Sequence, residues 1–216
     1  MPRLWLFTDQ ARLPDPRPVA ARLPAGRAGI VLRHDAAPDR QALGQDLARI
    51  CRTRRLVLVV AGDARLAARL HAGLHLRAGR WPGAATRRQV TRSGASQATS
   101  PIASRAASTV APGMAPGMAS SGMAARTVPI TSSAHTVADL VRARRAGVML
   151  AFLSPAFPTA SHPGAPGLGP VRWGLMVRQA VPAALRIGAL GGVDGRTIHR
   201  LPARCVAVGA ITAFWG

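Results

Sequence analysis

Eight short apolar segments, separated by helical patterns or irregular connections, predict an α/β fold of the (β/α)8 barrel type. A second observation agrees: glycines follow the seventh and eighth of these segments, at Gly191-Gly192 and Gly209-Ala210, where such barrels commonly bind phosphate. The third is size. A chain of 216 residues with 48% apolar content can bury one substantial core, which predicts a single domain over 1–216.

Taken in order, residues 4–8 (Leu-Trp-Leu-Phe-Thr) read as a buried strand ending at Asp9. Pro14, Pro16 and Pro18 mark a loop followed by at most a short helix. Residues 29–33 form a second strand, with His34 and Asp35 at its C-terminal end. Asp39 is placed to cap a helix running to about Arg54, whose Leu43, Leu47 and Ile50 recur three to four residues apart. The third strand, 56–60, runs into Gly62 and Asp63, and Asp63 can cap a helix that turns Leu66, Ala67 and Leu70 to one side. Gly73-Leu-His-Leu76 is a short fourth strand.

Periodicity then disappears. Residues 84–126 are mostly Ala, Ser, Thr, Gly, Met and Arg, with Ala-Pro-Gly-Met repeated at 111–114 and 115–118. The composition predicts a disordered low-complexity insertion between strands four and five. Regular alternation resumes at 128–132, the fifth strand, followed by a helix from a Thr136 cap to Arg145 and a stop at Gly147. Residues 148–153 form the sixth strand, and a Pro- and Gly-rich loop occupies 154–169. A helix within 170–180, a seventh strand at 186–190, a short helix at 194–201 and an eighth strand at 205–208 complete the pattern, with a last helical turn starting at Gly209.

No apolar run approaches the roughly 18 residues of a membrane helix, and the four large apolar residues before Asp9 are too few for a secretory signal. These features predict a cytoplasmic protein. Cys51 and Cys205 show no metal or redox spacing, so reduced buried thiols are expected. The net charge is +21, and all 29 basic residues are Arg. They are scattered, with no basic block longer than two, and only four Phe and four Trp are available for base stacking. This argues against nucleic-acid recognition and leaves a non-specific attraction to polyanions at low salt.

In a barrel of this kind the chemistry sits at the C-terminal ends of the strands. Those ends carry Asp9, Arg33-His34-Asp35, Gly62-Asp63, Arg77, Ser133 to His135, Ser154 to His162, Gly191-Gly192 and Gly209-Ala210. His75, His199 and the Arg142/Arg144/Arg145 cluster read as structural or solvated residues, and Asp194 as a helix cap or a ligand contact.

Several of these segments together resemble the thiamine phosphate synthase and thiazole tautomerase family of small barrels. They are Leu-Phe-Thr-Asp (6–9), Leu-Arg (32–33), Gly-Asp (62–63), Gly-Leu-His-Leu (73–76), Ser-Ala-His-Thr (133–136), Ser-Pro-Ala-Phe-Pro-Thr-Ala-Ser-His (154–162), Leu-Gly-Gly-Val (190–193) and Val-Ala-Val-Gly-Ala-Ile (206–211). The similarity covers about 4–83 and 127–214 and omits the insertion. Synthases of this family join a pyrimidine methyl pyrophosphate to a thiazole phosphate with Mg²⁺. The resemblance implies that Arg33 contacts pyrophosphate, that Ser133 lies near the leaving group, and that Asp63 is a metal ligand. It also implies that Thr159, Ser161, Gly191, Gly192, Gly209 and Ala210 hold the thiazole phosphate.

The leaving-group half departs from the family pattern. An expected Gln-x-Arg-x-Lys is Val31-Leu-Arg-His-Asp35, an expected Asn-Asp is Gly62-Asp63, and His162 stands in place of a lysine. A second metal aspartate is expected a few residues after His75, where Arg80 stands. One repair makes Asp35 and Asp63, at the ends of neighbouring strands, a replacement carboxylate pair for Mg²⁺, with Arg33, Arg80 and His162 on the phosphates. Another is a metal-independent thiazole tautomerase, with His135 as the proton shuttle. A third reading is a catalytically silent binder of a phosphate ligand or polyanion.

Overall fold

A computed structural model describes residues 2–78, 128–160, 164, 166–180 and 185–213. The 84–126 insertion lies outside the described residues, as do Ser161, His162 and Arg80. Eight parallel strands close into a barrel in sequence order: β1 (Leu4–Phe7), β2 (Ala28–Leu32), β3 (Val57–Ala61), β4 (Gly73–Leu76), β5 (Ile130–Ala134), β6 (Leu150–Leu153), β7 (Arg186–Leu190) and β8 (Cys205–Ala210). Closure comes from β8 pairing with β1, Trp5 opposite Gly209 and Leu6 opposite Ala210. The described helices are α1 (Arg17–Arg22), α2 (Arg40–Arg54), α3 (Ala64–Arg69), α4 (Val137–Arg145) and α5 (Gly169–Ala180).

The strands are apolar on both faces because both faces are covered. Trp5, Phe7, Val31, Val59, Leu150 and Phe152 form one cluster. Leu6, Ile30, Leu32, Ala151 and Leu153, one residue out of phase, belong to the second with the helices. The first cluster is tied by edge-on ring pairs, Trp5 to Phe152 at 5.7 Å and Phe7 to Phe152 at 4.9 Å. Glycines make room for them. A Cβ at Gly29 would lie 2.6 Å from the Trp5 ring, and one at Gly209 would lie 2.6 Å from the Phe7 ring.

The helices follow local chemistry. Leu43, Leu47 and Cys51 bury one stripe of α2, and Arg55, at φ 56°, ends the helix in the left-handed region. The expected Asp39 cap is not made, since the Asp39 side chain accepts no backbone bond there. Asp63 does cap α3, its Oδ1 accepting from the Leu66 amide at 2.9 Å. Thr136 and Asp139 form a full capping box on α4.

The first three strands shift from the sequence expectation by a single residue, and four elements differ by two or more. β5 begins two residues late because Pro129 has no N–H for the ladder; its carbonyl instead accepts from Leu74 at 3.1 Å. β8 runs on to Ala210, because β1 needs partners at Trp5 and Leu6, so Gly209 and Ala210 open no helix; residues 211–213 form a turn. Asp194 bends the chain through bonds from the Arg196 and Thr197 amides, so only a single 3₁₀ turn, Ile198–Arg200, forms before Pro202. β6 is shorter than expected, starting at Leu150. Among the described residues no helix is long and apolar enough to cross a membrane. Both cysteines are unpaired: Cys51 is buried, and Cys205, expected to be buried, is half-buried.

Candidate active site at the barrel mouth

The C-terminal ends of the strands surround a cavity of about 720 Å³. Nine of the expected residues line it: Arg33, Asp35, Ser133, His135, Thr159, Gly191, Gly192, Gly209 and Ala210. Asp63 is not among the lining residues. Sequence reasoning did not single out Arg12, which also lines the cavity, and it gave Arg77 no role beyond its place at a strand end.

One side of the mouth is built from two loops locked together. The 154–160 segment crosses the end of β7, with the Ala156 amide donating to Leu190 O at 2.9 Å and the Phe157 amide to Gly191 O at 3.0 Å. Gly191 and Gly192 turn there with φ of 87° and 64°. A Cβ on Gly192 would fall 2.3 Å from Pro158 O, so the two backbones approach as only glycine permits. Phe157 is buried beneath, with Arg200 stacked 5.5 Å from its ring centre. Pro155, Pro158, Thr159 and the two glycines thus form one rigid wall of the cavity.

The floor carries His75, which β4 turns into the barrel. Its Nδ1 lies 2.9 Å from Thr131 Oγ1 and its Nε2 2.9 Å from Ser133 Oγ. Thr131 and Ser133 are two apart on β5 and so share a face. Burial, reinforced by the Arg33 and Arg77 cations, pushes the His75 imidazole down to about 3. It is a neutral ring that orients the Ser133 hydroxyl rather than a proton acceptor for it.

His135 follows β5 and is exposed at the mouth. Its amide donates to Asp139 Oδ2 at 3.0 Å, so the α4 capping box also fixes its position. Nδ1 lies 2.9 Å from Ser154 O; a carbonyl only accepts, so Nδ1 carries the proton and Nε2 is the basic nitrogen. Asp139 itself is buried. Desolvation pushes its carboxyl up, but the His135 and Thr136 amides, the Thr136 hydroxyl and Arg142 together hold it below the ordinary carboxylate value. His34 is structural, buried between Thr8 Oγ1 at 2.9 Å and Pro14 O at 3.2 Å.

The β2–β3 side carries the expected carboxylate pair, and the residues present do not fit a divalent cation. Arg40 reaches in from the first turn of α2. Its Nη2 lies 3.2 Å from Asp35 Oδ1 and donates to Ala61 O at 2.7 Å, while Nη1 lies 3.4 Å from Asp63 Oδ2. Arg77 pairs with the same Asp35 oxygen. Asp35 and Asp63 are therefore joined through a guanidinium, and Asp63 Oδ1 is occupied by its helix cap. Among the described residues no three His, Cys or acidic side chains gather, and the two carboxylates that do meet here are already engaged by arginines.

No family model and no curated protein matches the sequence. Among solved structures the chain is similar to a thiamine phosphate pyrophosphorylase from Pyrococcus furiosus, with a TM-score of 0.68 and 18% identity, covering 98% of this chain and 86% of that one. It is also similar to a 3-keto-L-gulonate-6-phosphate decarboxylase from Vibrio cholerae (TM-score 0.60, 13% identity, 100% and 90% covered). A third is an HpcH/HpaI aldolase/citrate lyase family protein from Burkholderia cenocepacia (TM-score 0.54, 17% identity, 97% and 88% covered). At these identities the likeness shows the fold, a (β/α)8 barrel.

Proposed function

We propose that the chain is a thiamine phosphate synthase-like protein whose barrel mouth binds a thiazole phosphate. The observation that carries this reading is the locked wall of the cavity, where the Gly191-Gly192 turn meets the Pro155–Thr159 loop. Main-chain amides and the Thr159 hydroxyl there would hold the phosphate, with Gly209 and Ala210 beside them. Ser161 and His162, expected near the same group, lie outside the described residues. The solved structure named above as a thiamine phosphate pyrophosphorylase supports the same reading.

In the coupling reaction the thiazole nitrogen attacks the pyrimidine methylene carbon as pyrophosphate leaves. Arg33 and Arg77 would meet that leaving group across the cavity from the glycine wall, with the Ser133 hydroxyl nearby. No step is assigned to Mg²⁺, because Asp35 and Asp63 are held by Arg40.

The protonation of His135 favours a second reading, a thiazole tautomerase. With Nδ1 protonated towards Ser154 O, Nε2 is free to take a proton from a ligand carbon and return it to another atom of the ring. One assay addresses both. Purified protein is titrated with thiazole phosphate by calorimetry, then incubated with the pyrimidine pyrophosphate and, separately, with the thiazole carboxylate phosphate isomer. Binding followed by thiamine phosphate formation supports the first reading. Isomer conversion lost in His135→Ala supports the second. Absence of thiazole phosphate binding overturns both.

A further inference from the structure

We propose that the Arg40 guanidinium is a resident cation beside this mouth, held by Asp35 and Asp63 in the place where a divalent metal ion would otherwise bind. The guanidinium sits in a built position, although the two carboxylates that meet it are each 38% exposed. The Arg40 side chain is only 16% exposed, and its Nη2 is fixed by the Ala61 carbonyl at the end of β3 as well as by Asp35. Its Nε is buried and has no partner, so the side chain is held by its two terminal nitrogens.

Local preference runs the other way. Arg40 is the first residue of α2, where exposed amides and the helix dipole favour an anion, and no acidic residue occupies that first turn. A cation placed there needs carboxylates in front of it, and Asp35 and Asp63 supply them from the ends of β2 and β3. An arriving ion would have to expel the guanidinium, leaving a partly buried charge without its partners. To grip either carboxylate through both oxygens it would also have to take Asp63 Oδ1 from the Leu66 amide or Asp35 Oδ1 from Arg40 and Arg77.

The chemical consequence is that Asp35 and Asp63 carry a permanent counter-charge from within the chain. A chelator cannot remove that counter-charge. This inference does not depend on which ligand the mouth takes, so its failure would leave the thiazole phosphate reading standing.

The test uses the full chain and Mn²⁺ as the probe, followed by the electron spin resonance signal of the free ion. The wild type should leave that signal unchanged up to about 1 mM Mn²⁺, whereas Arg40→Ala, with two freed carboxylates, should bind the ion at least ~10-fold more tightly. Adding Asp63→Asn to Arg40→Ala should abolish the gain. Stoichiometric binding by the wild type that is lost in Asp63→Asn overturns the proposal, and so does a folded Arg40→Ala that stays silent. Should Arg40→Ala not fold, wild type and Asp63→Asn decide the matter. A silent wild type whose melting temperature drops on Asp63→Asn, and is unchanged by 10-fold added Mg²⁺, upholds it. A melting temperature that rises with Mg²⁺ overturns it.

Discussion

His75 Nε2 and Ser133 Oγ lie 2.9 Å apart, with the other ring nitrogen equally close to Thr131 Oγ1. A neutral imidazole donates at one nitrogen and accepts at the other, so it satisfies both hydroxyls of β5 at once. Burial lowers its pKa from 6.5 to about 3, which means that unfolding takes up a proton between those values. The stability His75 contributes is complete above pH 6.5 and is lost as pH falls towards 3. Melting temperatures from pH 8 to pH 4 should therefore decline, and His75→Gln should flatten that slope. A slope identical in the variant would rule this assignment out. At pH 7, His75→Phe should cost about 1–3 kcal/mol in denaturant titration, because Thr131 is left buried and unpaired.

The barrel was legible because parallel strands covered on both faces read as unbroken apolar runs, and Phe7, Val31, Val60 and Leu153 all lie in such runs. Gly209 shows where that reading stops. Next to a strand end it looks like a phosphate-loop glycine, yet it lies in β8 and its missing side chain leaves room for the Phe7 ring. No sequence period distinguishes these two uses of glycine. Asp63 was legible as a helix cap from its place before Ala64, and the cap forms. Arg40 was missed among 29 arginines. The available signal was its position, a cation in the first turn of a helix directly after Asp39, where an anion is expected.

Gly192→Ala should damage the site through the backbone. The position has φ 64°, and the added Cβ would meet Pro158 O at 2.3 Å and Phe157 C at 2.8 Å, none of them able to yield without moving the loop. A loss of about 1–3 kcal/mol is expected, together with at least ~10-fold weaker thiazole phosphate binding in calorimetry. Gly195→Ala, three residues on, meets no atom within 4 Å and should change stability by less than about 0.5 kcal/mol. Equal effects of the two substitutions would disprove the role given to the wall.

Asp139→Ala removes a carboxylate that accepts from the amides of His135 and Thr136 and from Arg142. Loss of the capping box should cost about 1–2 kcal/mol, and His135 should lose its fixed place at the mouth. The folded-state pKa of Asp139 is depressed, so its contribution is present above the ordinary value of 3.8 and disappears as pH falls below it. The gap between variant and wild type should therefore be full at pH 7 and narrow progressively as pH falls below 3.8. A constant gap between them across that range, read from denaturant titrations, would contradict the electrostatic part of the argument.

Gly209→Ala tests whether Gly209 is there for packing or for ligand. Its Cβ would lie 2.6 Å from the Phe7 ring and 3.1 Å from Leu190, and Phe7 is held in turn by Phe152 at 4.9 Å and His75 at 5.5 Å. A ring wedged in this way cannot rotate aside, so the substitution should cost about 1–3 kcal/mol as an overpacked core does. Phe7→Leu alone should also destabilise, by leaving a void. Combined, the two should cost less than the sum of the single changes, because the smaller side chain gives the methyl group its space. Additive losses in a double-mutant cycle would mean that Gly209 is not there to accommodate Phe7. Ligand binding by the double variant then separates the two uses of the residue. Recovery of stability with thiazole phosphate affinity near that of the wild type assigns Gly209 to packing, whereas recovered stability with lost affinity assigns it to the phosphate wall.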